Sequence, residues 1–259
     1  MLQSGRLLGV QRVPQLNHHI PTFPYGEGLA ALQADPPCWP EPTRTVSEIR
    51  LELRFRSQHP LLRHLKRDAS SLFLDIVDYP GEWLLDLPLL QMSYQQWSEQ
   101  MRHQLADPLL AAAASEWLAL GNGLSLSAPG DNATLKVLAA RYTDWLHHCK
   151  SQLGLSLIQP GRFVLPGEYA DAPMLQFVPW VWEPLAETAI PGSLQAMLEE
   201  RFASYKQHLV QGFYRDHFAS FDRQIVLVDC LQPLQAGARA FADLEQTLAL
   251  LMRSFHYGQ

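Results

Sequence analysis

Apolar and polar residues alternate strictly from Glu48 to Arg56. Ile49, Leu51, Leu53 and Phe55 fall on one side, and Arg50, Glu52, Arg54 and Arg56 on the other. A period of two predicts a strand with one packed and one wet face. Leu72 to Val77 is a short apolar, β-branched run broken only by Asp75, which predicts a strand covered on both faces with a carboxylate intruding. Pro60 and the basic segment Arg63 to Arg67 join the two through a predicted short helical turn. Two strands with a short connection are most simply an antiparallel pair. Upstream, Leu7, Leu8 and Val10 within Ser4 to Val13 predict the tail of a helix ended by Pro14. Prolines then crowd the chain up to Pro42, so a long loop is expected, interrupted by a helix at Glu27 to Gln33.

Beyond Gly81 the pattern turns helical. Glu82 to Glu99 is strongly apolar, with Pro88 as a kink. Tyr94 to Leu120 predicts one or two helices, with Leu109, Leu110, Trp117, Leu118 and Leu120 as a core stripe, in preference to a docking face. Asp131 to Gly154 and Ser193 to Phe218 predict two more, and Ala238 to Phe255 a last one. Gln159 to Pro191 is rich in proline and glycine. Its aromatics Phe163, Tyr169, Phe177, Trp180 and Trp182 fit either a core or a contact surface. Gln224 to Cys230 predicts a buried strand carrying Asp229 near its carboxyl end.

Composition narrows the classes. The 259 residues fit one large domain or two small ones, and 47% hydrophobic residues suffice for a core. A net charge of -6 argues against a general nucleic-acid binder, which needs a basic surface. Three separated cysteines, Cys38, Cys149 and Cys230, make neither a disulfide framework nor a zinc pattern, which points to a reducing compartment. No apolar run approaches the roughly 20 residues of a membrane span, and Met1 to Val10 lacks the apolar centre of a signal peptide. A cytoplasmic protein without a transmembrane segment is expected.

The candidate chemistry sits at the ends of the strand pair. Asp78-Tyr79-Pro80-Gly81 follows the second strand, and Thr43, Thr45 and Ser47 precede the first. In an antiparallel pair these two points lie at the same end. A carboxylate there can hold magnesium through water, a hydroxyl can bind the ion directly, and a glycine N–H can approach a terminal phosphate. The same residues are also ordinary turn and strand-entry chemistry. His18-His19 and His147-His148-Cys149 tempt a metal reading, but consecutive residues do not share one helical face.

The stretches SGRLLGVQRVPQ, PTRTVSEIRL, LFLDIVDYPGEWLLDLPLL and FASFDRQIVLVDCLQPL resemble the YcjX-like family, bacterial stress-associated P-loop proteins that bind GTP or ATP. The resemblance runs the length of the chain. It implies an α/β fold: an incomplete Ras-like P-loop NTPase core with the antiparallel strand pair, one further parallel strand at 224–230 and a large helical insertion. Residues 1–81 and 223–259 would belong to the core and 82–222 to the insertion, which could act as a lid, a sensor or a surface for a protein partner. By the same resemblance Asp78 to Gly81 stands for the third G-motif. Asp78 and Thr43 would serve Mg2+, and Gly81 with Thr43 or Thr45 the nucleotide. Glu82 would stand where such proteins often place a catalytic, water-orienting residue.

Two departures matter. No lysine follows a glycine, so the phosphate-cradling Gly-x-x-x-x-Gly-Lys-[Ser/Thr] loop is absent, as is the base-reading Thr-Lys-x-Asp element. The chain therefore reads as an internal piece of a longer protein, with weak or no nucleotide binding alone and with exposed apolar sheet edges. The competing reading is a helical protein-interaction module with vestigial nucleotide machinery.

Overall fold

The computed structural model describes residues 6–56 and 69–255. The connection predicted around Arg63 to Arg67 lies outside them. The chain is mixed α/β and divides into two compact units, Met1–Pro80 and Gly81–Gln259.

The first unit is built on a three-stranded sheet, β1 (Leu7–Val13), β2 (Ser47–Arg56) and β3 (Ala69–Asp78), in the order β1-β2-β3. Both pairings are antiparallel. The alternation along β2 therefore reported a real strand. Ile49, Leu51 and Leu53 stand opposite Ile76, Leu74 and Leu72, so the middle of one face of the pair is aliphatic. On the other face Arg50 Nε lies 3.5 Å from Asp75 Oδ1, and its guanidinium sits 4.8 Å over the Phe73 ring. The intruding carboxylate of β3 is thus answered by the residue directly across from it.

Two expectations for this unit are corrected. Leu7–Val13 is a strand rather than the tail of a helix. Gly9 and the β-branched Val10 and Val13 disfavour a helix, and the edge of β2 supplies ladder partners. β3 is not covered on both faces: Leu72, Phe73, Leu74 and Ile76 are between 43% and 51% exposed. Helix α1 (Tyr25–Leu32) interrupts the proline-rich loop, close to the position expected.

The second unit is helical around an aromatic core. A 3-10 helix, Gly81–Gln91, opens it. There follow α2 (Tyr94–Gln104), α3 (Pro108–Ala113), α4 (Ser115–Gly121) and α5 (Asn132–Ser151), then α6 (Gly161–Val164) and α7 (Leu194–Tyr205). A π turn at Lys206–Val210 leads to α8 (Gln211–Asp216), then α9 (Leu231–Ala236) and α10 (Ala238–Ser254). Side chains set the helix starts. Ser93 forms a capping box with Gln96, and Asp131 accepts from Thr134 N at 2.7 Å. Trp97 stacks on Phe202 with ring centres 5.2 Å apart and meets Phe177 edge-on at 5.5 Å, while Trp117 meets Tyr142 at 5.3 Å. Phe163, Phe177 and Trp180, from the proline- and glycine-rich stretch, are core residues, not a contact surface.

Here too the structure differs from expectation. Tyr94 to Leu120 forms three helices, and Leu109 and Leu120 face solvent while Leu110 and Trp117 are buried. Among the described residues, Gln224 to Cys230 does not form the further parallel strand expected there. That segment carries no regular secondary structure, and Ile225 is 87% and Leu227 91% exposed. Among the described residues the second unit contains no ladder, only an isolated bridge between Pro129 and Ser193, so the segment has no strand to share its backbone groups with.

Candidate functional site

In the first unit the register of β2 on β3 decides the geometry. Ser47 pairs with Asp78, so the loop entering β2 and the carboxyl end of β3 meet at one end of the sheet. Four residues upstream of Ser47, the Thr43 hydroxyl donates to Asp78 Oδ2 at 2.6 Å, with both residues half-buried. Thr45, the alternative hydroxyl, is exposed. Pro21 to Phe23 stiffens this end. Glu48 N donates to Pro21 O at 2.9 Å and Phe23 N to Glu48 O at 2.8 Å, extending the edge of β2 beyond the end of β1. The Glu48 carboxyl is buried on the opposite face of β2 from Ser47. Burial raises its pKa first and the Asp75 charge second, against the lowering effect of Arg50.

A carboxylate and a hydroxyl sharing one short hydrogen bond are hard oxygen donors, the type that suits a magnesium ion carrying most of its own water. They fit such an ion as two ligands of a larger set. Among the described residues, no group of three or more His, Cys, Asp or Glu could enclose a metal. His18, His19, His147 and His148 are exposed, and Cys149 is a buried thiol pushed up to about 12 by burial.

Gly81 and Glu82 belong to the second unit. Gly81 opens the 3-10 helix, and no described atom lies within 4 Å of where its Cβ would stand. Glycine here is therefore not required by packing, and the residue is exposed. The Glu82 carboxylate is engaged by Lys150 Nζ from α5.

The neighbourhood holds one residue that sequence reasoning missed. Asp86 is 1% exposed, in the middle of the apolar run, and accepts from Gly161 N at 2.8 Å, Arg162 N at 3.2 Å and the Tyr205 hydroxyl at 2.5 Å. Burial pushes its pKa up to about 6, while the hydroxyl, the two amides and the Arg162 charge pull it back. Arg162 itself lies over the Trp83 ring, its guanidinium carbon 3.5 Å from the ring centre. The available signal was the single charged residue between Leu85 and Leu87.

Comparison with known proteins gives the family. The sequence model of the YcjX-like family, DUF463, matches residues 1–259. A protein of Escherichia coli (strain K12) named "Ras-like GTPase YcjX" is 55% identical over 263 residues, covering 100% of this chain and 56% of the relative. A protein of the same name from Shewanella oneidensis is 42% identical over 267 residues, covering 99% and 54%. The chain spans about half the length of the curated relatives it matches. With the family's model matched from the first residue to the last and relatives at this identity over the whole chain, the protein belongs to the YcjX-like family.

Proposed function

We propose that this chain carries the switch regions of a Mg2+-dependent, nucleotide-binding protein that hydrolyses GTP or ATP in its longer form. The observation that carries the reading is the 2.6 Å hydrogen bond between Thr43 and Asp78 at one end of the β2–β3 pair. Thr43 and Asp78 would hold the ion, which when bound neutralises charge on the phosphates. Thr43 would close over it, with Thr45 as the second hydroxyl of the loop. The Gly81 N–H would meet the terminal phosphate. Glu82 would orient the attacking water, a role that requires its carboxylate to exchange Lys150 for that water. The names of the two relatives, both Ras-like GTPases, support GTP in particular.

The proposal extends to the architecture. The exposed aliphatic residues of β3 and the segment 224–230, which joins no ladder among the described residues, would be completed into a Ras-like core by sequence outside this chain. Residues 223–259 would then count with that core, and 82–222 would be the helical insertion through which a protein partner binds. A stress-associated role in the cytoplasm goes with the same reading. Among the described residues no helix is long and apolar enough to cross a membrane.

The test uses the full-length protein. Titration of a fluorescent GTP analogue with and without Mg2+ should give binding that Asp78→Asn weakens roughly tenfold or more in the presence of the ion, with a smaller loss for Thr43→Val. Binding unaltered in both variants would overturn the assignment in favour of the protein-interaction module.

A further inference from the structure

The residues directly after Gly81 do not form a free surface loop. Trp83 to Leu89 of the 3-10 helix are all buried. An eleven-residue 3-10 helix with Pro88 inside it has poor hydrogen-bond geometry of its own, so its neighbours must hold it. They do so at several points. Asp86 takes the Gly161 and Arg162 amides and the Tyr205 hydroxyl. Gln159 Nε2 donates to Leu85 O at 2.6 Å, and Trp83 Nε1 donates to Leu165 O at 2.9 Å. Gly161 presses so closely that a Cβ there would stand 1.9 Å from Glu82 O. Every one of these contacts runs to chain at least 70 residues further on. Hydrogen bonds to a charged, fully buried acceptor are strong and costly to leave unmade, so the segment cannot slide past α6 and α7 one contact at a time.

We propose that Asp86 is a positioning residue: it fastens the segment that begins at Gly81 to α6 and α7, so that a displacement of Gly81 on nucleotide exchange enters the helical unit as the movement of one body. This inference rests on the nucleotide reading above and adds to it a route and a residue. Two discrete arrangements of one packed element, biased by a ligand at its end, are the physical requirement for such a coupling. The Asp86 cluster supplies the packed element.

The test is hydrogen exchange of the full-length protein, loaded with GDP or with a non-hydrolysable GTP analogue and Mg2+. Residues 161–165 and 194–205 should exchange at rates that differ between the two states by on the order of fivefold or more. Asp86→Asn keeps the size and one acceptor but removes the charge, and Tyr205→Phe removes one donor. Both variants should bind nucleotide within about threefold of the parent. Both should lose most of the difference at 161–165 and 194–205, while the difference at 81–83 persists. A purely structural role would lower the melting temperature and leave the difference between states intact, and that result overturns the proposal. If Asp86→Asn does not fold, Tyr205→Phe decides alone. A parent protein that binds nucleotide but shows no difference in these segments overturns the coupling and leaves the nucleotide reading standing. A parent that binds no nucleotide overturns both.

Discussion

The two units bury their apolar residues to very different extents. In the second, Trp97, Trp180, Phe177 and Leu135 are 0% exposed, and helices from distant parts of the chain meet around one aromatic cluster. In the first, Leu72, Leu74 and Ile76 line up with their partners on β2 into an ordered aliphatic face, yet each stays at least 43% exposed. Both regions have enough apolar residues. Among the described residues no second layer buries that face, and a sheet buries an apolar face only against another element. Ladder hydrogen bonds and cross-strand pairs thus define the first unit, whereas side-chain packing defines the second. Substitutions should separate these two kinds of stability.

The largest effect is expected at Asp86. Replacing it with Ala strands the Gly161 and Arg162 amides and the Tyr205 hydroxyl in an apolar interior, at a cost of about 3–5 kcal/mol. Denaturant unfolding monitored by tryptophan fluorescence would measure it. A loss below about 1 kcal/mol would mean that the cluster does not hold the second unit together. Next comes a matched pair of truncations. Leu138→Ala, in the core at 1% exposure, should cost about 2–5 kcal/mol, whereas Leu74→Ala, at 43% exposure, should cost less than about 1.5. Equal losses would erase the distinction between the two units.

The strand pair and the convergence at its end could be read from the sequence because both follow from local rules. Alternation along Glu48 to Arg56 reports a strand whatever covers it, and an antiparallel neighbour brings the residues before one strand beside those after the other. That is why the loop Thr43 to Ser47 could be placed beside Asp78 in advance, whereas geometry alone left Thr43, Thr45 and Ser47 open; the hydrogen bond selects Thr43. What failed depended on distant partners. The β-branched residues of Gln224 to Cys230 favour extended backbone but cannot report whether a ladder exists for it, and among the described residues none does. Leu7, Leu8 and Val10 fit a helical spacing as readily as a strand, and the edge of β2 decides between them. Asp86 had no periodic signature at all, since its donors lie 75, 76 and 119 residues away. The exposed face of β3 was misjudged because composition gives the apolar content of a strand and not the layer above it.

A third, smaller effect follows from the Asp86 carboxyl through pH. Its folded pKa of about 6 lies above the ordinary aspartate value of ~3.9, so the folded state holds the proton longer than the unfolded chain. The group's contribution to stability is therefore greatest below pH ~4 and is lost as the pH rises through about 6, by an amount of order 2–3 kcal/mol. Other carboxyls act in the opposite sense. Asp131 is held below its usual range chiefly by the Thr134 hydroxyl and amide, so a raw pH profile mixes the two. The informative quantity is the difference between the parent and Asp86→Asn, which should change in the parent's disfavour between pH 4 and 6. A difference independent of pH would show that the carboxyl titrates alike in the folded and unfolded chain, with no burial penalty on its charge.

The smallest effect is expected at the ion pair between Lys150 and Glu82. The lysine side chain is 43% exposed and the carboxylate 21%, so solvent screens the attraction and removing it should cost no more than about 1 kcal/mol. Lys150→Ala therefore tests chemistry with little disturbance of the fold. If Glu82 orients water in the full-length protein, freeing it from the lysine should raise or hold kcat for nucleotide hydrolysis, while Glu82→Gln should lower kcat without weakening nucleotide binding. If Lys150→Ala instead lowers kcat with binding unchanged, the lysine is contributing its own charge to the reaction. The pair would then be a resting partnership between two functional groups and not a lock on one of them.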